Sequence, residues 1–385
     1  MSEVLFEITE DHLETGMRGI PVGYCITSNV DPQNGLFYMG KPLSEIAYWE
    51  PENVIYLLHY GREGSESEVE EFKQELQKRS QVSDKVIQYI QALPREAHPM
   101  KLLSMALMIC GEFDGTGDYQ EDELNVIAKL PTLVATLINY HAGWGEINPP
   151  KPELGYMENF THMLKVPSGN PEHLTAIFKL FNVLHYDHGG GNLSVFTGKA
   201  VASGLEGMYG SLAASMNALS GPRHGKANQD CLEFVKQVYA EIGDDATADG
   251  VEKLIRSRLE NKQLVFGFGH AVLRVEDPRA TVLYSVASEK YPENPLVNIA
   301  TLLREAGPKV LGENPKISNP YPNVDAISGT VLTAAGFPYP EYYTVLFGLS
   351  RCVGIARQLV YERCEARDGK GTPIVRPKYI YKPQN

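Results

Sequence analysis

The stretch LSGPRHGKAN, residues 219–228, places a histidine between two segments that favour helix. A nearly uncharged segment rich in Ala, Gly and Ser runs into it from Val195, and an amphipathic run follows over 227–242. Its Gly-Pro pair ends a helix, because proline lacks the backbone N–H and glycine favours turns. Taken alone, a histidine in such a place is most simply a capping or buried structural residue. Three other stretches make us predict instead that the ring of His224 faces a ligand.

These stretches are junctions rich in helix-breaking residues. His188 follows His185 and precedes three glycines, His270 lies in GFGHAVLR, and Asp325 lies in PNVDAISG. Functional residues gather on loops that a rigid scaffold positions. Three histidines and one aspartate at such junctions therefore predict a single site assembled from distant loops. For Asp325 the simplest role is a helix N-cap, and the functional alternative is a general base.

Helical periodicity dominates the chain. The nearly uncharged residues 195–219 predict one helix that is buried on most sides, in a large core or against another chain. Short β-like pieces are expected only near the N-terminus, at 4–8, 22–27 and 36–39. The repeated β-α alternation of a dinucleotide-binding fold is missing. We predict an all-α protein of two domains, since 385 residues exceed one small core. Beyond residue 226, helices are expected at 227–242, 249–261, 278–291, 295–305 and 324–335.

Composition and charge exclude several classes of protein. The net charge is −13, which argues against non-specific nucleic-acid binding and against adhesion to an anionic membrane surface. Five widely spaced cysteines without a CxxC pair favour a reducing compartment. The acidic N-terminal segment resembles no targeting peptide, and the sequence contains no run of about 18 apolar residues. We therefore expect a cytoplasmic protein that neither spans nor binds membranes.

Two local patterns suggest cofactors that we do not expect. His185, Asp187 and His188 lie close together, but zinc takes three or four ligands and no neighbouring motif completes a set. We predict no metal, with His188 binding a substrate. The glycines of Gly267-Phe268-Gly269 lack the third glycine of a dinucleotide fingerprint, so this loop instead allows a close backbone approach to a ligand. Nearby arginines suit a small polycarboxylate, because guanidinium binds carboxylates bidentately. They are Arg274, Arg279 and Arg351.

Taken together and in chain order, five motifs resemble the citrate synthase family, and its mitochondrial-type branch more than the NADH-regulated hexameric bacterial branch. The resemblance extends from GMRG at 16–19 to RPK at 376–378. The motifs are LHYDHGGGN (184–192), SGPRHGKAN (220–228), GFGHAVLRVEDPR (267–279), PNVDAISG (322–329) and YTVLFGLSR (343–351).

The resemblance implies a fold and an assembly. It implies an almost entirely helical protein with a large domain, residues 1–225 and 331–385, for dimerisation and oxaloacetate binding. A smaller mobile domain, residues 226–330, would bind CoA and close the cleft that holds the active site. The expected assembly is a homodimer.

The resemblance also implies an acyltransferase of the tricarboxylic acid cycle. Acetyl-CoA, oxaloacetate and water would give citrate and CoA, with acetyl-CoA as a substrate and no cofactor. Asp325 would remove a proton from the acetyl methyl group, and His224 would donate a hydrogen bond to the enol oxygen. His270 would polarise the ketone of oxaloacetate.

The remaining site residues also follow from the resemblance. It assigns oxaloacetate binding to His188, Asn192, Arg279, Arg351 and Arg376, the last acting in the neighbouring subunit's site. It assigns CoA binding to Arg18, Leu264, Val265, Gly267, Gly269 and Arg274.

The sequence departs from the family pattern at several places. Phe266 and Phe268 stand where the mitochondrial-type loop has Pro and Tyr, Phe196 replaces a frequent His, and residues 111–121 lack an Arg for the CoA phosphate. These changes affect the expected CoA contacts and not the reaction. A 2-methylcitrate synthase that uses propionyl-CoA would employ the same residues. The pocket for the acyl group distinguishes the two enzymes, and one methylene changes binding there by only about 1–3 kcal/mol. A non-catalytic CoA-binding scaffold is the alternative from another class.

Overall fold

The chain folds into helices with one small sheet near its N-terminus, in a computed structural model that describes residues 3–167 and 169–384. The three strands within those residues are β1 (Ser28–Asp31), β2 (Gly35–Tyr38) and β3 (Lys41–Pro42). The α-helices there are α1 (Leu43–Ile46), α2 (Pro51–Tyr60), α3 (Glu66–Arg79), α4 (Asp84–Gln91), α5 (Pro99–Asp114), α6 (Tyr119–Ala142), α7 (Tyr156–Met163), α8 (Pro171–His185), α9 (Leu193–Ala202), α10 (Met208–Leu219), α11 (Ala227–Ile242), α12 (Ala248–Glu260), α13 (Pro278–Lys290), α14 (Pro295–Leu311), α15 (Asp325–Ala334) and α16 (Tyr343–Val360). The predicted all-α fold with short β pieces is confirmed.

The small sheet is antiparallel, in the order β1-β2-β3, with Ser28 opposite Tyr38. Of the three β-like pieces expected, only 36–39 overlaps a strand. The predictions at 4–8 and 22–27 were wrong: both segments are irregular, and their apolar side chains are largely exposed. A strand exists only where another strand pairs with it, and β-like composition does not supply that partner.

The small-residue segment 195–219 is two helices and not the single helix that we predicted. α9 and α10 are separated by residues 203–207, where Leu205 adopts a left-handed backbone with φ of 72°. The two helices fold back on each other, and a Cβ at Gly198 would overlap the hydroxyl of Ser215. The small side chains therefore allow α9 and α10 to approach each other closely, and this contact lies within one chain. α10 is mostly buried and also packs on α5.

The helices form two groups, and the predicted catalytic residues lie on or between them. α11 to α15 pack chiefly on one another, while α5, α6, α8, α9 and α10 gather around α16. α16 is buried along nearly its whole length. Among the described residues, every helix is too short or too polar to cross a bilayer. The division into domains at 226 and 330 stays a prediction, since α11 and α15 also contact α16 and α8.

Candidate active site

The loop that carries His270 is tied to the segment that carries Asp325. The backbone N–H of Asn323 donates to the carbonyl of Gly267 at 2.9 Å, and its amide Nδ2 donates to that of Gly269 at 3.1 Å. The Oδ1 of the same side chain accepts from the backbone N–H of Asp325 at 3.0 Å. Asn323 therefore holds two of the predicted junctions together.

Gly267 has a specific reason to be glycine. Its φ is 86°, and a Cβ there would lie 2.9 Å from the Cα and the Cβ of Ala326. Since L side chains rarely adopt this conformation and no space exists for one, the loop can reach α15 only as glycine. The next residue of α15 towards its N-terminus is Asp325, so this contact sets the position of the carboxylate.

His270 is held as a neutral hydrogen-bond donor. Its Nδ1 accepts from the backbone N–H groups of Val272 at 3.0 Å and Leu273 at 2.9 Å. Because those groups can only donate, the ring proton is assigned to Nε2. Burial, followed by the positive charge of Arg279, lowers the pKa of His270 to about 4. At neutral pH, Nε2–H is therefore available to a ligand oxygen.

His224 has the opposite tautomer. The backbone N–H of Ser194 donates to its Nε2 at 3.3 Å, and the hydroxyl of the same residue lies 2.9 Å from that nitrogen. The proton is therefore assigned to Nδ1. Burial, followed by the charge of Arg351, lowers the pKa of His224 to about 4. Asn192 fixes this side of the site, since its Oδ1 caps α9 through the backbone N–H of Val195.

Asp325 is the first residue of α15 and not its cap. Asn323 bonds its backbone N–H, so the simple capping role is wrong. Burial raises the pKa of the Asp325 carboxyl to about 6, although the charges of Arg279 and Arg351 oppose the change. The site thus combines a carboxylate made more basic than usual with two histidines kept neutral, a separation of pKa values that is typical of acid–base catalysis.

Two buried arginines lie near His188. Arg279 pairs with Asp277 through two hydrogen bonds, Nε to Oδ1 at 3.0 Å and Nη2 to Oδ2 at 2.7 Å. Arg351 is 2% exposed, and its Nε donates to the carbonyl of His185 at 2.9 Å. No carboxylate in the described part of the chain forms an ion pair with Arg351. Burial and the neighbouring Arg279 lower the pKa of Arg351 to about 10, and a buried cation without a partner favours an anionic ligand.

His188 faces these arginines. Its ring centroid lies 5.2 Å from that of His270, and its Nε2 is buried without a hydrogen-bond partner among the residues that the structure describes. Burial, Arg279 and Arg351 hold its pKa well below the usual range. A buried polar atom without a partner calls for a ligand atom. Two arginines and two neutral histidines together suit a keto acid with more than one carboxylate.

The same histidines satisfy the spacing of a metal site. One ligand atom each from His188, His270 and Asp277 lie within 4.8 Å of one another. However, both oxygens of Asp277 accept hydrogen bonds from Arg279, and Nδ1 of His270 already accepts two. A fixed guanidinium charge beside the carboxylate opposes a dication. The arrangement therefore suits an anion better than a metal.

The other predicted binding residues lie at the surface. Arg18 and Arg376 are exposed, and neither side chain bonds another residue of the described ranges. The tail near Arg376 is held by a bond from the backbone N–H of Val375 to the hydroxyl of Ser203, 2.9 Å. The Arg274 guanidinium bonds three carbonyls of its own turn and so closes the His270 loop. Leu264 is exposed and Val265 is half-buried. The roles of these residues in CoA or substrate binding stay predictions.

Sequence reasoning missed three residues that shape the site. Asp277, which orients Arg279, carries a signal in hindsight, since Asp followed by Pro at a helix start is a typical N-cap. Ser194, which sets the tautomer of His224, carries none, because its contact spans 30 residues. Asp187 was considered only as a metal ligand, and in the structure its carboxylate instead accepts hydrogen bonds from Thr27, Ser28 and Gln358.

Comparison with known proteins agrees with this geometry. A family sequence model described as citrate synthase, C-terminal domain, matches residues 16–378. The mitochondrial citrate synthase of Citrus maxima is 36% identical, over 98% of this chain and 83% of its own. The mitochondrial 2-methylcitrate synthase of Yarrowia lipolytica is 33% identical, over 97% and 84%. Citrate synthase of Thermoplasma acidophilum, solved as a ternary complex with carboxymethyl coenzyme A and oxaloacetate, aligns with a TM-score of 0.83 and 26% identity over 96% of each chain. The chain belongs to the citrate synthase family.

Proposed function

We propose that this protein is a citrate synthase that condenses acetyl-CoA with oxaloacetate and hydrolyses the thioester to release citrate and CoA. The observation that carries the proposal is the pairing of a carboxyl whose pKa is raised, Asp325, with two neutral histidines of opposite tautomer, His224 and His270. A non-catalytic CoA-binding scaffold would not need this combination.

The first step is removal of a proton from the acetyl methyl group. Asp325 accepts this proton, and its raised pKa makes it a stronger base than an ordinary aspartate. The electrons move to the thioester oxygen, which receives a hydrogen bond from Nδ1–H of His224. A donor that is already oriented in a buried site stabilises the developing charge without reorganisation.

The second step forms the carbon–carbon bond. Arg279, Arg351 and His188 hold the carboxylates of oxaloacetate, and Nε2–H of His270 donates to its ketone oxygen. The enolate carbon then attacks the polarised ketone carbon, and the ketone oxygen takes up one proton to become the hydroxyl of citryl-CoA, which balances the proton that Asp325 removed from the methyl group. Attack of water on the thioester finally breaks the carbon–sulfur bond and releases CoA.

The protein should act as a homodimer. The chain exposes 18847 Å², whereas the scaling for a folded monomer of 42.7 kDa gives roughly 15,000 Å². Exposed apolar side chains are concentrated in both terminal segments. They include Val4, Leu5, Ile8, Ile374, Tyr379, Ile380 and Tyr381. Arms of this kind are suited to lie across a second copy, with Arg376 entering the partner's site.

Mixed dimers test whether Arg376 acts in trans. Asp325→Asn and Arg376→Leu proteins should each be inactive, and subunit exchange between equal amounts should restore about a quarter of wild-type activity, because half of the dimers then contain one intact site. Recovery requires the two residues of a site to come from different chains. No recovery after verified exchange would place Arg376 in the site of its own subunit.

Two further assignments complete the proposal. Residues 226–330 should move as a small domain that closes over CoA and excludes water, which small-angle scattering would detect as a compaction with both substrates present. A cytoplasmic location is proposed because all five cysteines are unpaired, as in a reducing compartment. Fractionation of the source cells would test that location.

The deciding experiment follows the free thiol of CoA. Purified protein, acetyl-CoA and oxaloacetate should release thiol. Omission of oxaloacetate should abolish release, and Asp325→Asn should lower it by about 10²-fold or more. Propionyl-CoA is run in parallel, and a preference for acetyl-CoA is expected. A preference for propionyl-CoA would identify a 2-methylcitrate synthase, and no oxaloacetate-dependent release with either thioester would refute the proposal.

A further inference from the structure

A buried carboxylate lies immediately before His188 in the chain. Asp187 is 0% exposed, and its Oδ2 accepts from the hydroxyl of Ser28 at 2.7 Å and from that of Thr27. Its Oδ1 accepts from Nε2 of Gln358 at 2.8 Å. These three neutral donors come from two distant parts of the chain, and we call Asp187 with Thr27, Ser28 and Gln358 the Asp187 clamp. A buried carboxylate is costly unless it is fully hydrogen-bonded, so the clamp meets a specific need.

Helix α16 contacts residues 185–189 from three positions on one face, which are three and four residues apart. Nε of Arg351 donates to the carbonyl of His185 at 2.9 Å, and the backbone N–H of Gly354 donates to that of Tyr186 at 3.1 Å. One turn later, Gln358 reaches Asp187. A Cβ at Gly354 would lie 2.5 Å from the Tyr186 carbonyl oxygen and 2.6 Å from the Asp187 side chain. Residues three and four apart share one helix face, so a single face of α16 sets the path of this loop.

The N-terminal sheet holds the same loop from its other side. The hydroxyl of Tyr38, at the end of β2, accepts from the backbone N–H of Asp187 at 3.1 Å and donates to the carbonyl of Val183 at 3.1 Å. The hydroxyl of Ser28 accepts from the backbone N–H of Gly189 at 2.6 Å. The residues on both sides of His188 are therefore fixed.

His188 itself keeps its ring free for a ligand. Its carbonyl accepts from Nδ2 of Asn192 at 3.1 Å, while its buried Nε2 has no partner within the described ranges. Among the bonds between described residues, only Nε anchors the guanidinium of Arg351 to the same loop. The backbone is thus restrained while the ligand-facing atoms of both side chains remain available.

We propose that the Asp187 clamp is a positioning device that sets the spacing between His188 and Arg351 and thereby the affinity for oxaloacetate. This inference rests on the proposed function, because it assigns the two side chains to the carboxylates of that substrate. Asp187 is a positioning residue, since its carboxylate is occupied by protein donors and cannot contact the substrate.

The negative charge of Asp187 adds a second contribution. Arg351 forms no ion pair with it, yet the nearby carboxylate raises the pKa of Arg351 and so partly offsets the effect of burial. The guanidinium therefore stays charged while its two Nη atoms remain free for a ligand. Asparagine at 187 would keep the shape but lose the charge, and its amide NH₂ would face a hydroxyl or amide donor.

The experiment compares Asp187→Asn and Gln358→Leu with a matched control, Ser350→Ala. The hydroxyl of Ser350 on α16 accepts a buried hydrogen bond from Nδ2 of Asn182 on α8 at 2.8 Å, and it does not contact the clamp. For each protein, kcat, the KM of each substrate, the oxaloacetate Kd by calorimetry and the thermal midpoint are measured. The Kd is measured without acetyl-CoA and so does not depend on turnover.

Asp187→Asn should raise the KM and Kd of oxaloacetate by about 10- to 100-fold, the value of one hydrogen bond to a charged group. The KM of acetyl-CoA at saturating oxaloacetate should change by less than about threefold. Gln358→Leu should raise the oxaloacetate constants by about 3- to 10-fold, and Ser350→Ala should lower the thermal midpoint only.

Unchanged oxaloacetate Kd in both clamp variants would overturn the inference, as would a rise in Ser350→Ala as large as that in Gln358→Leu. If Asp187→Asn fails to fold, Gln358→Leu and its control decide alone. Wild-type protein that binds oxaloacetate but releases no thiol would refute the proposed function and leave the clamp to be judged by Kd.

Discussion

Replacing Asp325 by asparagine should remove most turnover and yet make the folded protein more stable. Burial raises the pKa of this carboxyl from 3.8 to about 6. No residue in the described part of the chain gives this carboxyl a compensating hydrogen bond, and desolvation and charges account for the change. About two pKa units at about 1.4 kcal/mol each correspond to about 3 kcal/mol, an upper value because the side chain is partly exposed.

The sign follows from the raised pKa. Below pH 3.8 the carboxyl is protonated in both states, and its contribution to folding is fully present. As the pH rises, the unfolded chain releases the proton first, so the free energy of unfolding falls until the folded carboxyl has also ionised, above about pH 6. Asparagine does not titrate and escapes this loss. The variant should therefore exceed wild type by about 1 kcal/mol at pH 4.5 and about 3 kcal/mol at pH 8.

The assay is urea denaturation followed by circular dichroism at both pH values, at one fixed protein concentration because assembly also contributes to stability. Asp84→Asn, at the exposed first residue of α4, is the matched control and should show no such gain at pH 8. Thiol release by Asp325→Asn should fall by about 10²-fold or more, the usual contribution of a general base. A variant less stable than wild type at pH 8, or a difference that shrinks as the pH rises, would refute the reasoning.

Three further predictions concern the same site. Turnover should rise with pH to a plateau above about pH 6, where the catalytic carboxylate ionises, and His224 and His270 should add no limb above pH 5 because their pKa is about 4; a second limb near pH 7 in kcat would contradict this. Arg351→Lys keeps the charge but loses the planar fork, so the KM of oxaloacetate should rise about 10- to 100-fold; steady-state kinetics with an unchanged KM would exclude that role. Gly267→Ala places a Cβ 2.9 Å from Ala326 at a φ of 86°, so kcat should fall and the free energy of unfolding should drop by more than about 1 kcal/mol; wild-type kcat and urea midpoint would show that the loop adapts.

The sequence alone was sufficient for the helical architecture beyond residue 226. The helix predicted at 227–242 is α11 residue for residue, that predicted at 278–291 ends one residue beyond α13, and that predicted at 249–261 is displaced by one residue from α12. The helix predicted at 295–305 starts with α14 but ends six residues before it. Helix bounds depend on local signals, namely apolar periodicity and the capping residue beside it. Asp277 and Asn294, for example, cap α13 and α14 through their own side chains.

Local signals were insufficient where a distant partner decides the outcome. The break at 203–207 lets α9 fold back on α10, and the N-terminal strands lie where β1 and β2 find each other. The junction residues of the site were predicted, but their tautomers were not. Those depend on backbone donors such as Ser194, which lies 30 residues from His224.

Two aspartates show most clearly what only the tertiary structure decided. Asp187 and Asp325 are the same residue type at similar junctions, and both side chains lie in the interior or at its edge. The fold brings three side-chain donors to the carboxylate of Asp187. It brings no donor from the described residues to the Asp325 carboxylate, whose pKa rises to about 6. The sequence supplies the carboxylates, but burial and hydrogen bonding, which arise only when distant segments meet, make one a positioning residue and the other a base.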